Sequence, residues 1–471
     1  MSSVRTLPTS AQVVNLGLPA FTEAVLAQGS EALQVDWSIP AGGDPASVGA
    51  LTTLYGTRSV EIDEANAEIV RLLDRGTPFL SGVAPAREVV PGMGERMLLH
   101  SGPPIAYADV CDPMRRSMRA AVVAEGWAVD VEAAEKLLAR GDIALDAAND
   151  HATVVPMVTA LGPTTPMWIA DNTDAGTRGF APVNQGPGDV AWFGRESQAA
   201  IDRLTFLRDV VQPRFAKILE QVGPIDIMSL AGQGVQMGDD VHLRTQATTN
   251  LLIRNLLPAI AGLGNDPESV AMSGFLGTSH LFFLTIAMAG AKSLTLAAEK
   301  VKGGTVVTTM ARNGTTFGVK IAGSDTWHIC EAPPVGNALY YSGYTEADAA
   351  RDVGDSAVLE LIGLGGAAAA GSPAVAGFLG GSMEDAARAT REMRRICLSE
   401  STRFKLPTMD FSGTPVGVDV RKVVETGIRP KVTTGVLHVS SGAGQIGAGV
   451  ATAPMEGFTA ALLDLAGSAP A

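Results

Sequence analysis

Cysteine is scarce in this chain of 471 residues, and the spacing of the few cysteines argues against two kinds of site. Cys111, Cys330 and Cys397 lie far apart and form no CxxC pair, which disfavours a thiolate zinc site and a disulfide framework. The N-terminal segment "MSSVRTLPTSAQVV" also lacks the basic start and apolar run of a signal peptide. We therefore predict a cytoplasmic protein whose cysteines are small core residues.

Positively charged residues are also relatively few. The chain has 35 Lys and Arg against 49 Asp and Glu, a formal net charge of −14, and it contains no basic run. This balance repels nucleic-acid phosphates and anionic membrane surfaces, so neither is an expected partner. The uncharged segment from Ser269 to Ala291 is long enough to span a bilayer. Its glycines, with Ser279 and His280, favour a buried core helix instead.

Several catalytic signatures are also missing. The absence of GxxxxGK[ST], GxSxG and HExxH disfavours phosphate-loop ATPases, serine hydrolases with a nucleophile elbow and zinc peptidases. The six histidines are scattered, and His242 has no second histidine four residues later, so no metal site is predicted. No cofactor is predicted either. A nicotinamide oxidoreductase is the least favoured of the functions considered, because the first turn "NLGLPA" lacks the glycine triplet that binds the dinucleotide phosphates.

The patterns that are present indicate a well-packed α/β protein. Residues 12–37 read as strand, helix and strand, and strand-like segments follow at 77–84 and 96–102, with a helix at 64–76 between the second and third strands. We interpret this alternation as a Rossmann-like parallel sheet with crossover helices.

The predicted fold class is thus α/β and multi-domain. We expect a Rossmann-like domain at 1–110, a second α/β or α+β domain at 111–235, a central helical segment at 236–303 and a C-terminal α+β domain at 304–471. Within the last, the alternating segment 304–323 predicts a hairpin that turns at Asn313-Gly314. A strand "KVTTGVLHV", a Gly-rich turn and a helix from about Met455 should follow.

The polar stretch "VQMGDDVHLRTQATTN" places Asp239, Asp240, His242 and Arg244 within six positions. If Asp239 is the N-cap of a helix, both aspartates are explained as acceptors for its free N–H groups. The flank that begins with His242 either lines a cleft or is a solvated side of the helix. The sequence leaves both interpretations open.

Two further clusters have polar side chains suited to a site. Arg115 and Arg116 follow Asp112-Pro113, and guanidinium groups suit carboxylate and phosphate geometry, although a solvated helix face explains them equally well. Asp150 and His151 follow the apparent strand "IALDAA", a common place for site residues in α/β folds. A hydrogen-bonded structural turn is the alternative.

The segment "GAGQIGAG" at 442–449 satisfies G-x-G-x-x-G, and we interpret it as a turn between a strand and a helix. In that setting the backbone N–H groups around Gly444, Gln445 and Gly447 would hold an anion. Too few residues follow for the rest of a dinucleotide fold. Close packing of a turn is the competing explanation.

Long segments of the chain resemble the YlbE-like family, which is also called AllG-like. The similar segments include "QMGDDVHLRTQATTNLLIRNLLP" (236–258), "TTMARNGTTFGVKIAG" (308–323), "GDSAVLELIGLGG" (354–366), "TMDFSGTPVGVDVRKVVETGIRPKVTTGVLHVSSGAGQIGAG" (408–449) and the N-terminal "VNLGLPAFTEAVLAQGSEALQVDWSIPAGGD". The resemblance implies a subunit of bacterial oxamate carbamoyltransferase that acts beside an FdrA-like subunit and a third, smaller subunit. In allantoin catabolism that system would cleave oxalurate with phosphate to give oxamate and carbamoyl phosphate.

Such a reaction needs cations for phosphate and for the oxalyl carboxylate, and donors for the oxyanion of the tetrahedral intermediate. As a hypothesis, Arg115, Arg116 and Arg244 bind the anions together with the glycine-rich turn. A histidine moves the proton. Either His242 or His151 takes this role, held by Asp239 or Asp150. The residues that would complete the cleft are Arg312, Asn313 and Arg421 with Asp419, although the last two would equally form an internal ion pair.

Two other functions stay open. The chain would be a non-catalytic scaffold if it only shapes the partner's site, or a transferase for a different carbamoyl or acyl substrate. The oligomeric state, including a homo-oligomer, is also left open by the sequence.

Overall fold

The structure is a computed structural model that describes residues 12–35 and 37–467. Residues 1–11, which carry most of the segment examined for a signal peptide, lie outside it. The fold is mixed α/β. Its strands are β1 Gln12–Asn15, β2 Glu31–Gln34, β3 Pro78–Pro85, β4 Met97–His100, β5 Ala144–Ala147, β6 Pro166–Asn172, β7 Thr177–Pro182, β8 Ile225–Asp226, β9 Val307–Asn313, β10 Thr316–Ile321, β11 His328–Glu331, β12 Val335–Tyr340, β13 Val353–Gly354, β14 Cys397–Leu406, β15 Ser412–Val418, β16 Lys431–Leu437 and β17 Gln445–Thr452.

The helices differ widely in length. They are α1 Pro19–Ala27, α2 Pro45–Tyr55, α3 Ser59–Arg75, α4 Ala86–Val89, α5 Asp112–Ala124, α6 Val131–Ala139, α7 Gln198–Phe206, α8 Gln212–Val222, α9 Ile227–Gln236, α10 Gln246–Gly262, α11 Pro267–Thr278, α12 Phe282–Glu299, α13 Val358–Leu361, α14 Pro373–Leu379, α15 Met383–Ile396, α16 Val420–Thr426 and α17 Met455–Gly467. A π-helical turn, Leu207–Val211, joins α7 to α8.

The predicted Rossmann-like sheet at the N-terminus is not confirmed. Strands β1 and β2 do form a parallel pair across α1, as the first strand-helix-strand pattern predicts. However, β3 pairs antiparallel with β6 and β8, and β4 pairs parallel with β5. The alternation of strands and helices indicated the elements correctly, but strand partners depend on contacts that lie far apart in sequence.

A four-stranded antiparallel sheet, in the order β7-β6-β3-β8, packs against α12. The uncharged segment forms two helices, α11 and α12, because the turn at Ser279–Leu281 interrupts it. Within the described residues, α12 is the helix whose length and composition would suit a membrane span, and 89% of that stretch is buried inside the protein. The prediction of a buried core helix is therefore confirmed for α12.

The C-terminal third contains the predicted hairpin of antiparallel β9 and β10, but the turn lies one residue later than predicted, at Gly314-Thr315, because Asn313 still belongs to β9. Strand β16 and helix α17 are also confirmed, but an unpredicted strand, β17, lies between them and pairs with β16 and β12. The largest hydrophobic cluster draws side chains from Ile69 to Val416. The domain boundaries at 110, 235 and 303 stay predictions.

Candidate anion-binding site

A cavity of about 500 Å³ lies where the loop after β7, the loop before α10, the α11–α12 turn, α14 and β17 meet. Among the lining residues that the structure describes, two are arginines and none is Asp or Glu. The lining consists of Gly186, Pro187, Gly188, Trp192, Phe193, Arg195, Leu243, Arg244, His280, Leu281, Tyr341, Ala374, Phe378, Ala443, Gln445 and Ala448. Each arginine has a carboxylate close by, outside the lining: Arg195 Nε lies 3.6 Å from Asp189 Oδ1, and Arg244 Nη1 lies 3.7 Å from Asp239 Oδ1.

The wall formed by the loop after β7 depends on a tight turn. The side-chain carbonyl of Asn184 accepts the Gly186 N–H at 2.8 Å, and its amide donates to the Leu281 carbonyl at 2.8 Å. Gly186 has a φ of 72°, and a Cβ at this position would lie 2.7 Å from the Phe275 ring. Only glycine suits both the backbone conformation and the close approach. The loop is thereby fixed to the α11–α12 turn.

Arg244 is positioned by a loop folded around Asp240. This fully buried carboxylate accepts the backbone N–H groups of His242, Leu243 and Arg244 at 3.3, 3.1 and 2.7 Å. Burial raises the pKa of Asp240 despite these bonds. Arg244 itself donates from Nη1 to the Gly238 carbonyl at 2.7 Å. Several hydrogen bonds thus fix the position of a cation that is still partly exposed to the cavity.

The same loop contains a strained residue. Val241 is buried with a φ of 62°, a conformation that β-branched residues rarely adopt. Such a conformation costs about 1–3 kcal/mol and persists only where the surroundings over-determine it, most often at functional sites. The strain marks the loop that carries Arg244.

Arg195, on the opposite wall, was not predicted from the sequence. Its Nη2 donates to the Ala443 carbonyl at 2.6 Å, and its Nε lies 3.6 Å from Asp189 Oδ1. These contacts tie the loop after β7 to the turn before β17. Arg116 reaches the same turn through a hydrogen bond to the Ser440 carbonyl at 3.1 Å.

His242 forms a buried pair with Glu360, at 2.8 Å between Nδ1 and Oε1. The prediction that Asp239 holds this histidine is therefore wrong. The same Oε1 accepts the N–H groups of Gly366 and Thr433, and Oε2 has no hydrogen-bond partner among the described residues. The His242 side chain does not line the cavity, but Leu243 and Arg244 beside it do.

Asp239 caps α10 without being its N-cap. The helix begins at Gln246 with Thr245 as its N-cap, six residues after the predicted N-cap, because the intervening residues wrap around Asp240. Asp239 nevertheless accepts the Ala247 and Thr248 N–H groups at 3.2 and 2.8 Å from within the core. The prediction that Asp239 accepts free N–H groups of the helix is confirmed, and the predicted start of the helix is wrong.

The structure places Asp150 and His151 in separate structural contacts. His151 bonds the Pro91 carbonyl through Nδ1 at 2.7 Å and Asp146 through Nε2 at 3.0 Å. Asp150 pairs with Lys320 at 2.6 Å instead of holding His151, so that predicted pair is wrong. Neither residue lines the cavity.

The remaining predicted cations are bound to protein acceptors. Arg115 donates to the Tyr107 and Ala108 carbonyls, and Arg116 pairs with Asp112 and Glu196. Arg312 and Asn313 were predicted to complete the cleft and instead form internal contacts away from the cavity lining, with Asp352 at 2.8 Å and with the Thr316 N–H. Arg421 and Asp419 form the internal ion pair that was the stated alternative, at 2.8 Å.

The glycine-rich segment at 442–449 continues into strand β17, which begins at Gln445, and no helix begins there. The interpretation of this segment as a helix N-terminus is therefore wrong. Gln445 and Gly447 pair with Leu437 and Val436 in the β16–β17 register, so their backbone belongs to the sheet. Gly444 accepts the His438 N–H at its carbonyl oxygen. Of the three predicted anion-binding positions, only Gln445 lines the cavity.

Sequence reasoning missed Arg195, His280 and Tyr341. The weak signal for the first was the glycine-rich loop "NQGPGDVAWFGR" that ends in Arg195, and no spacing motif marks the other two. Across residues 12–35 and 37–467, no group of three or more His, Cys, Asp or Glu side chains has a geometry that could hold a metal ion.

Comparison with known proteins gives concordant matches. Residues 143–356 match the family described as oxamate carbamoyltransferase subunit AllG. The chain is 36% identical over 413 residues to the oxamate carbamoyltransferase subunit AllG of Escherichia coli (strain K12), covering 86% of this chain and 98% of that protein. It is 34% identical over 454 residues to the uncharacterized protein YahG of the same strain, covering 96% of each.

A solved structure is also similar. The crystal structure of a conserved protein of unknown function from Enterococcus faecalis V583 superposes with a TM-score of 0.84 at 34% identity. The match covers 87% of this chain and 98% of that one.

Proposed function

Because the chain belongs to the family of the oxamate carbamoyltransferase subunit AllG, we propose that it is a carbamoyltransferase subunit whose cavity binds the anionic substrates. The reaction is phosphorolysis of oxalurate to oxamate and carbamoyl phosphate, in the breakdown of allantoin. A phosphate oxygen attacks the carbamoyl carbon, the bond from that carbon to the oxamate nitrogen breaks, and the nitrogen takes up the proton that the hydrogen phosphate gives up. Both reactants are anions, and negative charge develops on the carbonyl oxygen.

One observation carries this proposal: Arg195 and Arg244 line one cavity that contains no carboxylate among its described lining residues. A guanidinium group binds phosphate or carboxylate through two parallel hydrogen bonds, so two arginines match one anion each. A volume of about 500 Å³ suits a small-molecule site. The Gln445 amide and the Tyr341 hydroxyl supply donors for the developing oxyanion.

The buried pair of His242 and Glu360 acts in this proposal by holding the loop that presents Arg244. The His242 ring is bound to Glu360, and the His242 backbone N–H donates to Asp240, so the loop is fixed on both sides of Val241. A proton-transfer role for His242 or His151 stays a prediction.

The proposed complex also contains an FdrA-like subunit and a third, smaller subunit, and it works in the cytoplasm. The three cysteines are free thiols, which suits a reducing compartment. If the chain is only a scaffold, changes in its cavity will leave turnover by the complex unaltered as long as the complex assembles.

The test is formation of oxalurate from carbamoyl phosphate and oxamate, followed by mass spectrometry, with the chain alone and then with both partners. Arg195→Ala and Arg244→Ala should each lower kcat/KM on the order of 100-fold, because each loses a charge-assisted contact of about 2–3 kcal/mol. The melting temperature should change little, since Arg244 is partly exposed. Arg254→Ala, at an exposed position of α10, is the matched control and should keep full activity.

Turnover by the chain alone would support a site within this subunit, and turnover only in the mixture would leave a shared site. Wild-type rates in both arginine variants, in a mixture that is active, would reject the cavity as the site and favour the scaffold.

A further inference from the structure

The N-terminal unit, made of β1, α1, β2 and the residues up to Ile39, is unusually apolar on its outside. Eight large apolar side chains are more than half exposed within this short stretch: Val14, Leu16, Leu18, Phe21, Leu26, Leu33, Trp37 and Ile39. Summed over both sides of the unit, they expose on the order of 1,000 Å² of apolar side-chain surface, with Phe21 and Leu26 on α1 and Val14 and Leu33 on the sheet.

The exposure follows from the way the unit is built. Helix α1 covers one face of the two-stranded sheet, where Thr22 and Asn15 bond the Gln34 side chain. On the opposite face, Val14 and Leu33 stand directly across from each other in the register and are 63% and 61% exposed. Parallel sheets are normally covered on both faces, and two strands alone are marginally stable. Within the described residues, no element therefore packs on the sheet face that carries Val14 and Leu33.

The rest of the described protein does not supply that cover. The three elements pack mainly on one another, and none of the eight side chains belongs to a hydrophobic cluster of the described residues. The interior of the unit is held by polar contacts of Asn15, Thr22 and Gln34 rather than by apolar packing.

Charge indicates which kind of partner fits. Residues 12–39 contain three acidic residues and no Lys or Arg, and the whole chain has a net charge of −14. In a two-fold contact between identical surfaces, this acidic rim would meet itself, which costs free energy. A second copy is thus a poor occupant. A different polypeptide with an apolar patch bordered by Lys or Arg is complementary in both respects.

We infer that the open face of the N-terminal unit is the docking surface for another subunit of the enzyme complex. The identity of that subunit rests on the proposed function, which supplies the FdrA-like and small subunits as the partners to test. The exposed sheet face provides the apolar centre, and Glu31, exposed two residues before Leu33 in β2 and so on the same face, provides an acidic border.

The test uses the full chain, mixed with the FdrA-like and small subunits and analysed by size exclusion with light scattering. Leu33→Glu should raise the Kd of the complex about 100-fold, since it places a charge in the apolar centre of the contact. Val129→Glu is the matched control, because Val129 is 92% exposed outside the N-terminal unit. This control should bind like the wild type. Hydrogen exchange of the wild-type complex should show slower exchange at residues 12–35, which reports docking without any substitution.

Three results would overturn the inference. They are unchanged binding by Leu33→Glu, self-association of the chain alone that Leu33→Glu abolishes, and failure of the wild type to bind either partner. The oxalurate assay on the same mixtures shows whether the docking surface or the proposed transferase function has failed. Turnover without a stable complex would reject the docking surface alone, and a complex formed through this face without turnover would reject the transferase reaction alone.

Discussion

Replacement of Asp240 by alanine should destabilise the protein and disturb the loop that presents Arg244. The Asp240 carboxylate accepts three backbone N–H groups and the Thr433 hydroxyl, the last at 3.1 Å. A hydrogen bond to a charged group contributes about 1.5–3 kcal/mol, but removal of the carboxylate also removes the cost of burying its charge. That cost is real here, because burial raises the Asp240 pKa. The net loss in the free energy of unfolding is about 3–5 kcal/mol.

Urea unfolding, followed by far-UV circular dichroism and tryptophan fluorescence, measures this change. Asp325→Ala, at an exposed loop position, is the control and should stay within about 0.5 kcal/mol of wild type. The Asp240 variant should also lose the proposed carbamoyl transfer, since the hydrogen bond from the Arg244 backbone N–H to Asp240 no longer fixes the position of Arg244. An Asp240→Ala protein that unfolds at the same urea concentration as wild type would refute the assignment of the carboxylate as the organiser of the loop.

The other two predictions concern buried carboxylates outside the cavity lining. Burial raises the pKa of Asp355 from 3.8 to about 7, so the folded state binds its proton more tightly than the unfolded state. The stability from this group, about 4 kcal/mol, is present below pH 4 and is lost as the pH rises through 7. The unfolding free energy of wild type minus that of Asp355→Asn should therefore fall between pH 5 and pH 8, and parallel pH profiles would contradict this. Asp352→Ala should cost about 3–5 kcal/mol in urea unfolding because it leaves the Arg312 guanidinium buried without its counter-charge. The double variant Asp352→Leu with Arg312→Met should recover most of that loss, and a double variant as unstable as the single one would count against the ion pair as the cause.

Local elements were predictable from this sequence where a single turn or period determines them. The β9–β10 hairpin is an example, although its turn lies at Gly314-Thr315: Gly314 has a φ of 82°, a conformation that glycine adopts readily. The strand-helix-strand unit at the N-terminus is another. The partners of β3 and β4 were not predictable, since the same alternating pattern is compatible with parallel pairing to β1 or with the antiparallel pairing to β6 that occurs.

The glycine-rich segment shows why a short motif is weak evidence. Its glycines suit a phosphate-binding turn, but they equally suit a strand packed closely between two neighbours. A Cβ at Gly447 would lie 2.5 Å from the Leu339 carbonyl oxygen of β12. The pattern of glycines is explained by this close approach, and the strand partner that causes it lies more than a hundred residues away in sequence.

The candidate site could be predicted only in part, for a related physical reason. Arg244 lies in a loop rich in residues that bond their own backbone, and such loops can be recognised locally. Arg195 shares its cavity only because its guanidinium reaches the Ala443 carbonyl, a contact between segments far apart in sequence. Arg115, Arg116 and Arg312 looked equally suited to anions, yet each is bound to carbonyls or carboxylates of the protein. Arg195 and Arg244 also have protein partners, including a carboxylate at 3.6 and 3.7 Å. What distinguishes them is that both side chains line the same cavity, and that position exists only after folding.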